Sequence, residues 1–499
     1  MTTNTDPVRQ RMAAADPAAV DAEPPSGLLD HAALLDLIIE RNGEMERVTS
    51  SKRSTVLWRR PVVVAVGFAM LILLVIGVPI LLGGGSGGNE APVATEPTTP
   101  PTTVATEPTT PPMVESWQQG TEVMSSAIGL YDMTRFGSQL VAVGFDIGDD
   151  NARPNGAIFA SDDGVAWTRL AEEDPALNLG AVQIAAVTDG GPGLVAVGRG
   201  CEDETQGCTP YATAWTSTDG TSWFRTAHDP VAFGDLVTET TSMNDVLADD
   251  GGTLVAVGLF QDWLVDDAGV EQSVTTFPAV WLSSDGVSWE RTLIGEGFEQ
   301  TVDAFLNGLP TTPMQAVARS PDGSFVAVGA MLDKNDKSTA AVWTSTDGSA
   351  WDRVDPTSPA FGPGTDMVDI TWGENGFMAV GTFGNSEAGI WQSPDGTTWT
   401  RVDTATQPFD SITYLTSVAA LNTGYVTAGP HIIEAGSLTL WTSPNGENWT
   451  RVHVIQMEDS YASKIVVVDG GIALAGGFRP TDGFQAAVWL GPRLDPNTP

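Results

Sequence analysis

Basic residues, cysteine and histidine are scarce in this chain of 499 residues: Lys and Arg total 23 against 63 Asp and Glu, with two cysteines and four histidines. A net charge of −40 excludes a nucleic-acid binder, because phosphate contacts need clustered Lys and Arg. So few cysteines exclude a disulfide-built scaffold, and no pair has redox or metal-ligand spacing. No Gly-x-Ser-x-Gly, His-Glu-x-x-His or phosphate loop occurs. Long apolar runs are missing too, with one exception. Residues 62–82, VVVAVGFAMLILLVIGVPILL, carry no charge.

Twenty-one residues at helical rise span about 31 Å, enough to cross a bilayer core. Lys52, Arg53, Arg59 and Arg60 precede the run, and the GGGSGGNE that follows has no basic residue. The asymmetry predicts a single-pass membrane protein with its N-terminus in the cytoplasm and the rest outside. Residues 1–61 form the tail, with a short helix expected near 27–47; His31 there has no cysteine partner for zinc. Residues 83–113 are Gly-rich, then Pro/Thr-rich, with VATEPTTPP written twice. Such repeats pack no core and act as extended spacers.

From residue 114 the chain repeats itself. A short apolar strand ending in Gly begins at Leu140, Leu194, Leu254, Phe325, Phe377, Tyr425 and Ile472. After each comes a second strand, centred on Phe159, Trp215, Trp281, Trp343, Trp391, Trp441 and Trp489. A third element follows six of the seven: SDDGVAW at Ser161, STDGTSW at Ser217, SSDGVSW at Ser283, STDGSAW at Ser345, SPDGTTW at Ser393 and SPNGENW at Ser443. The missing seventh copy has its last part at the other end, where ESWQQGTEV around Trp117 matches the post-motif strand. With one more strand before each Gly-terminated segment, the pattern predicts an all-β, seven-bladed propeller over 114–495, its last blade completed by the first strand.

The SxDGxxW element resembles the Asp-box of bacterial neuraminidase (sialidase) repeats. That resemblance implies a hairpin between the third and fourth strands of each blade. The physics agrees, since an Asp can accept backbone N–H bonds across a tight turn and the next Gly can take φ > 0. These copies have one residue fewer between Asp and Trp than the usual box, and Asn445 replaces Asp in the sixth. Six equivalent copies around a ring cannot all be one active site. Asp163, Asp219, Asp285, Asp347, Asp395 and Asn445 are therefore expected to be structural. The Arg two residues after each Trp (Arg169, Arg225, Arg291, Arg353, Arg401, Arg451) is expected on the blade surface.

Variable loops between second and third strands, on the opposite face, are where a ligand is expected. Cys201 and Cys208 share one such loop and are expected to form a disulfide outside the cell. Asp146, Asp149 and Asp150 lack a calcium-loop pattern, so no cofactor is expected and Ca²⁺ is a minor alternative. Trp263, in the longest loop, is the candidate exposed aromatic on the ligand face, with burial against a neighbouring loop the equal alternative. Sialidase resemblance further implies three arginines clamping a carboxylate, a Tyr–Glu pair and an Asp acid. The family's Phe/Tyr-Arg-Ile-Pro motif is absent, GFRPTDG near Arg479 being incomplete. Arg135, Arg153, Arg199, Arg319, Arg479 and Arg493 are the non-repeating arginines after the stalk, and nothing in the sequence selects three. No catalytic residue is assigned. The expectation is a non-catalytic module binding a protein or glycan at the cell surface. The alternatives are a surface glycoside hydrolase and an envelope sensor signalling through its tail.

Overall fold

The computed structural model describes residues 117–496, apart from 121–127, 148–153, 171–175, 178–181, 202–208, 236–238, 266–270, 295–299, 304–311, 334, 336, 385–386, 410–413, 432–436, 456–459, 470 and 479–484. The expected tail helix, the apolar run 62–82 and the stalk lie outside these residues. Among the described residues no helix is long and apolar enough to cross a membrane.

Strands alternate with tight hairpins and form seven antiparallel sheets, the blades of a propeller. Blade 1 comprises Ile128–Phe136, Gln139–Asp146, Asn155–Ser161 and Thr168–Leu170. The first strands of the next five blades are Gln183–Gly190, Glu239–Ala248, Ala316–Arg319, Thr365–Gly373 and Ser417–Leu421. Blade 7 begins with Tyr461–Val468, continues through Gly471–Phe478 and Gln485–Pro492, and takes its outer strand from Gln118–Gln119. Gln118 faces Leu490 and Gln119 faces Trp489, and Gly120 N–H donates to Val488 O at 2.7 Å. The ring is thus closed by the strand that follows Trp117. Trp117 stacks on His453 of blade 6, centroids 4.6 Å apart.

First strands pack against one another around a closed circuit, blade 1 to blade 7 and back, so they are innermost and surround the axis. The core is divided into seven sectors among the described residues, one between each pair of adjacent blades. Sequence dictates this: second and third strands are apolar on both faces, and each face meets a neighbouring blade. Trp215, Trp281, Trp343, Trp391 and Trp441 are completely buried there, each burial contributing about 3 kcal/mol.

The Gly that ends each second strand has a steric cause. Opposite it the first strand approaches closely, with a β-bulge recorded there in five blades. A Cβ on Gly198 would lie 2.0 Å from Gln183 O, and one on Gly258 2.0 Å from Ser242 O. No side chain fits.

Blade-to-blade linkers are held at both ends. Trp281 Nε1–H of blade 3 donates to Ala232 O in the preceding linker, while Thr241 Oγ1 further along accepts from Ala212 N of blade 2. Trp391 and Ala360 O repeat the first bond, and Thr365 Oγ1 on Ala340 N repeats the second. The linkers into blades 3 and 5 thus hang on the Trp of the blade they enter, and the first strand that follows each caps the third strand of the blade left behind.

Candidate functional site

Antiparallel order puts the SxDGxxW turns on the same face as the hairpins between first and second strands. On that face the turns are copies of one another. In blade 3 Asp285 Oδ1 accepts from Val287 N at 2.8 Å and Ser288 N at 2.7 Å. Ser283 Oγ donates to the same carboxylate and accepts from Gly286 N. Gly286 has φ +71°, and its carbonyl receives Trp289 Nε1–H at 3.0 Å. Asp163, Asp219, Asp347 and Asp395 make the same bonds in their own blades. Asn445 Oδ1 makes them at 3.0 Å. The N–H donors hold the ionised form: Ser288 and Val287 set Asp285 below the usual carboxylate range, and Ala350 and Ser349 bring Asp347 to about 2. These carboxylates close their own loops.

Of the repeating arginines, expected on the blade surface, Arg451 is exposed and Arg169, Arg225, Arg291, Arg353 and Arg401 are half-buried. Each faces the third-strand aromatic, as Arg291 faces Trp281 and Arg353 faces Trp343. Arg291 lies 4.6 Å from the Phe260 ring centroid and Arg401 3.8 Å from that of Phe383. Arg225 and Arg353 also lie over aromatic rings, whereas Arg169 pairs with Asp146.

The opposite face holds the channel mouth. Around the axis, one position beyond the bulge, stand Asp132, Ala186, Asp245, Ala316, Asp369, Ser417 and Lys464, in blade order. Alternate blades 1, 3 and 5 carry an acid. Each acid reaches the next blade: Asp132 Oδ2 accepts from Val187 N, Asp245 Oδ2 from Val317 N and Asp369 Oδ2 from Val418 N, at 2.8, 2.8 and 2.9 Å. Asp245 and Asp369 also accept, on Oδ1, the N–H of the residue that follows them. Three acids serve six blades in pairs, and seven is odd. Blade 7 is joined through Ser417, whose Oγ accepts from Ile465 N at 3.1 Å and donates to Asp369 at 2.7 Å. Its own position is Lys464, whose Nζ donates to Asp369 Oδ1 at 3.1 Å.

Burial governs the electrostatics here. It pushes the Asp245 carboxyl up to about 7, against the pull of Lys464 and with help from Asp132 and Asp369. Asp132 is raised for the same reason, again against Lys464. Burial opposes the Lys464 ammonium, yet Asp369, Asp132 and Asp245 outweigh it and hold the group above the ordinary lysine range.

Nearer the mouth, Tyr131, Tyr461 and Arg199 come together. Arg199 is buried and donates twice to Gln183 Oε1, at 2.9 and 2.7 Å. Burial raises both phenols, and Arg199 opposes the rise at Tyr131. Asp366, at the mouth end of blade 5, is pushed up to about 7 by burial. Among the described non-repeating arginines only Arg199 is at the mouth. Arg135 and Arg493 engage Asp469, and Arg319 pairs with Asp250, on the hairpin face. Arg153 and Arg479 lie outside the described residues.

Trp263 sits near the tip of blade 3's long hairpin, opposite Val274. It is half-buried rather than exposed, and its indole nitrogen is covered. The loop is itself a hairpin, and the strand Gln300–Asp303 lies along it. Cys201 is buried and disulfide-bonded; Cys208 is outside the described residues. Asp146 is buried against Arg169, and Asp149 and Asp150 are outside. Among the described residues no group of three His, Cys, Asp or Glu is placed to hold a metal. The axial charges escaped sequence reading. Their signal was an apolar-x-Asp-apolar string in alternate repeats: LYDM, MNDV and MVDI.

No family model matches the chain, and no curated protein does. Many solved structures are similar in fold. A mutant Trypanosoma rangeli sialidase displaying trans-sialidase activity aligns at 12% identity and TM-score 0.39, over 76% of this chain and 59% of that one. Puromycin hydrolase aligns at 13% and 0.45, over 74% and 55%. Sqt1 from Chaetomium thermophilum aligns at 12% and 0.40, over 72% and 83%. This chain thus spans less than two thirds of the sialidase and of the hydrolase. At such identities and TM-scores these likenesses carry no inference about function, and the seven blades rest on the strand order of the chain itself.

Proposed function

We infer that the protein is a membrane-anchored, extracytoplasmic binding module whose channel mouth recognises a glycan or a protein at the cell surface without turning it over. The charge asymmetry about residues 62–82 and the Pro/Thr stalk support the anchored, outward placement. One observation carries the non-catalytic reading. The carboxylates on the propeller's repeats and axis are committed to main-chain N–H groups: those of the turns to their own loops, those of the axis to the next blade. An acid–base pair for glycoside cleavage needs carboxyl groups facing the substrate. The mouth instead offers Arg199, Tyr131, Tyr461 and Asp366, a mixture of donors and acceptors suited to polar recognition.

The test is the full chain in lipid nanodiscs on a broad glycan array, with fluorogenic sialosides and glycosides assayed in parallel. Glycan binding without hydrolysis, weakened at least tenfold in R199A, is expected. Turnover of any glycoside would contradict the reading and identify a surface hydrolase. Silence in both assays would leave a protein ligand, to be sought by crosslinking at the mouth.

A further inference from the structure

The axial layer joins four charges from four blades, and one blade is held differently from the rest. Blades 1 and 2, 3 and 4, and 5 and 6 are paired by an acid accepting main-chain N–H groups. Blade 7 has no acid at this position. It depends on the Ser417 relay and on Lys464, which bypasses blade 6 to reach Asp369 in blade 5. Its outer strand is the two-residue Gln118–Gln119, the segment through which the chain enters the propeller. The seam of the ring therefore combines a short latch outside with an electrostatic joint at the axis. We propose that Asp132, Asp245, Asp369 and Lys464 form a pH-sensitive clasp on blade 7, closed in mildly acidic surroundings and loosened as pH rises through neutrality.

The charge count supports this. With all four groups ionised the axis holds three negative charges and one positive, enclosed by the apolar blades. The residues facing them from blades 2, 4 and 6 are Ala186, Ala316 and Ser417, none of which adds a charge. Toward the mouth stand Tyr131, Tyr461, Arg199 and Asp366. Burial raises the phenols and Asp366, so near neutrality Arg199 is the one of these that offers a positive charge. Asp132 is 6% exposed, and its Oδ1 has no hydrogen-bond partner. A proton on Asp132 or Asp245 removes repulsion and leaves the Asp369–Lys464 pair in place. Lys464 is 28% exposed, so water in the channel has access to the joint.

The sign follows from linkage. Carboxyls whose folded value is raised above the unfolded one contribute most at and below about pH 4, and that contribution falls progressively as pH rises from there through about 7. His453, held below its ordinary value by burial, works the other way over the lower part of that range. A difference between variants therefore separates the axis from the background.

The experiment is thermal unfolding of the full chain in nanodiscs at pH 5.5 and pH 8, for the wild type, D245N and K464M. Asn at 245 still accepts from Val317 N but cannot ionise. The wild type should lose about 2–4 °C more between the two pH values than D245N does. K464M leaves three carboxylates without their cation, so it should lose at least twice as much in Tm at pH 8 as at pH 5.5. Hydrogen exchange at pH 8 should rise in K464M first in Tyr461–Val468 and Ser417–Leu421. Parallel wild-type and D245N profiles would overturn the proposal, even if K464M does not fold. A uniform rise in exchange across all blades would remove the clasp from blade 7.

Discussion

Asp285 and Asp245 belong to the same blade and each accepts two main-chain N–H groups, yet their pKa values are displaced in opposite directions from the ordinary carboxylate value. Asp285 sits at an exposed turn, where water and donors together favour its charge. Asp245 sits at the axis, where the lost water outweighs the donors and Lys464. Hydrogen bonding alone therefore does not set a carboxylate's charge state; the solvent left behind does. The difference also separates two kinds of structural work. A turn Asp closes its own loop, whereas an axial Asp joins one blade to the next.

The largest effect should come from breaking the axial side. D369A removes the acceptor for Val418 N and Ser417 Oγ and the counter-charge of Lys464. Stranding a half-buried cation and two buried donors should cost about 2–4 kcal/mol in chemical denaturation. On the turn side, D285A leaves two N–H groups to water at an exposed site and should cost about 1 kcal/mol, as loss of a helix N-cap does. D285N should cost less than about 0.5 kcal/mol, because Asn445 already makes the same bonds in blade 6. A loss as large for D285N as for D285A would mean that charge, not acceptor geometry, holds the turn.

The acid limb gives a finer test. The turn carboxylates are held below their unfolded value, so their stabilisation is complete above about pH 4 and is lost as pH falls toward 2. N445D should steepen that limb slightly by adding one more such group, with a change at neutral pH of no more than about 0.5 kcal/mol.

The ring was legible because it repeats. Seven Gly-terminated strands, seven third-strand aromatics and six turns each report the same local geometry, and the missing seventh turn pointed to the strand after Trp117. The axis was less legible. Its acids occupy three of seven equivalent positions, in a strand whose other residues vary, and their pairing depends on which blades are neighbours in space. Lys464 matches none of them in type; only the closed ring brings it to Asp369. Trp263 shows a different limit. Length marked its loop as a projection, but that loop is a hairpin extended by a strand from the following linker, 300–303, which carries no repeat signal. The linker bonds had a faint signal in DPAL, DPVAF and SPAF, whose Ala carbonyls meet the third-strand Trp.

A carboxyl titration by ¹³C NMR would decide the central claim. Full chain labelled at Asp side-chain carboxyls would be titrated from pH 2 to 9, with the resonances of Asp245 and Asp285 identified by their loss in D245N and D285N. The Asp245 resonance should move near neutrality and the Asp285 resonance only below about pH 4. Both moving together near pH 4 would contradict that claim, leaving the axial acids as ordinary solvated groups and the blades joined by apolar packing alone.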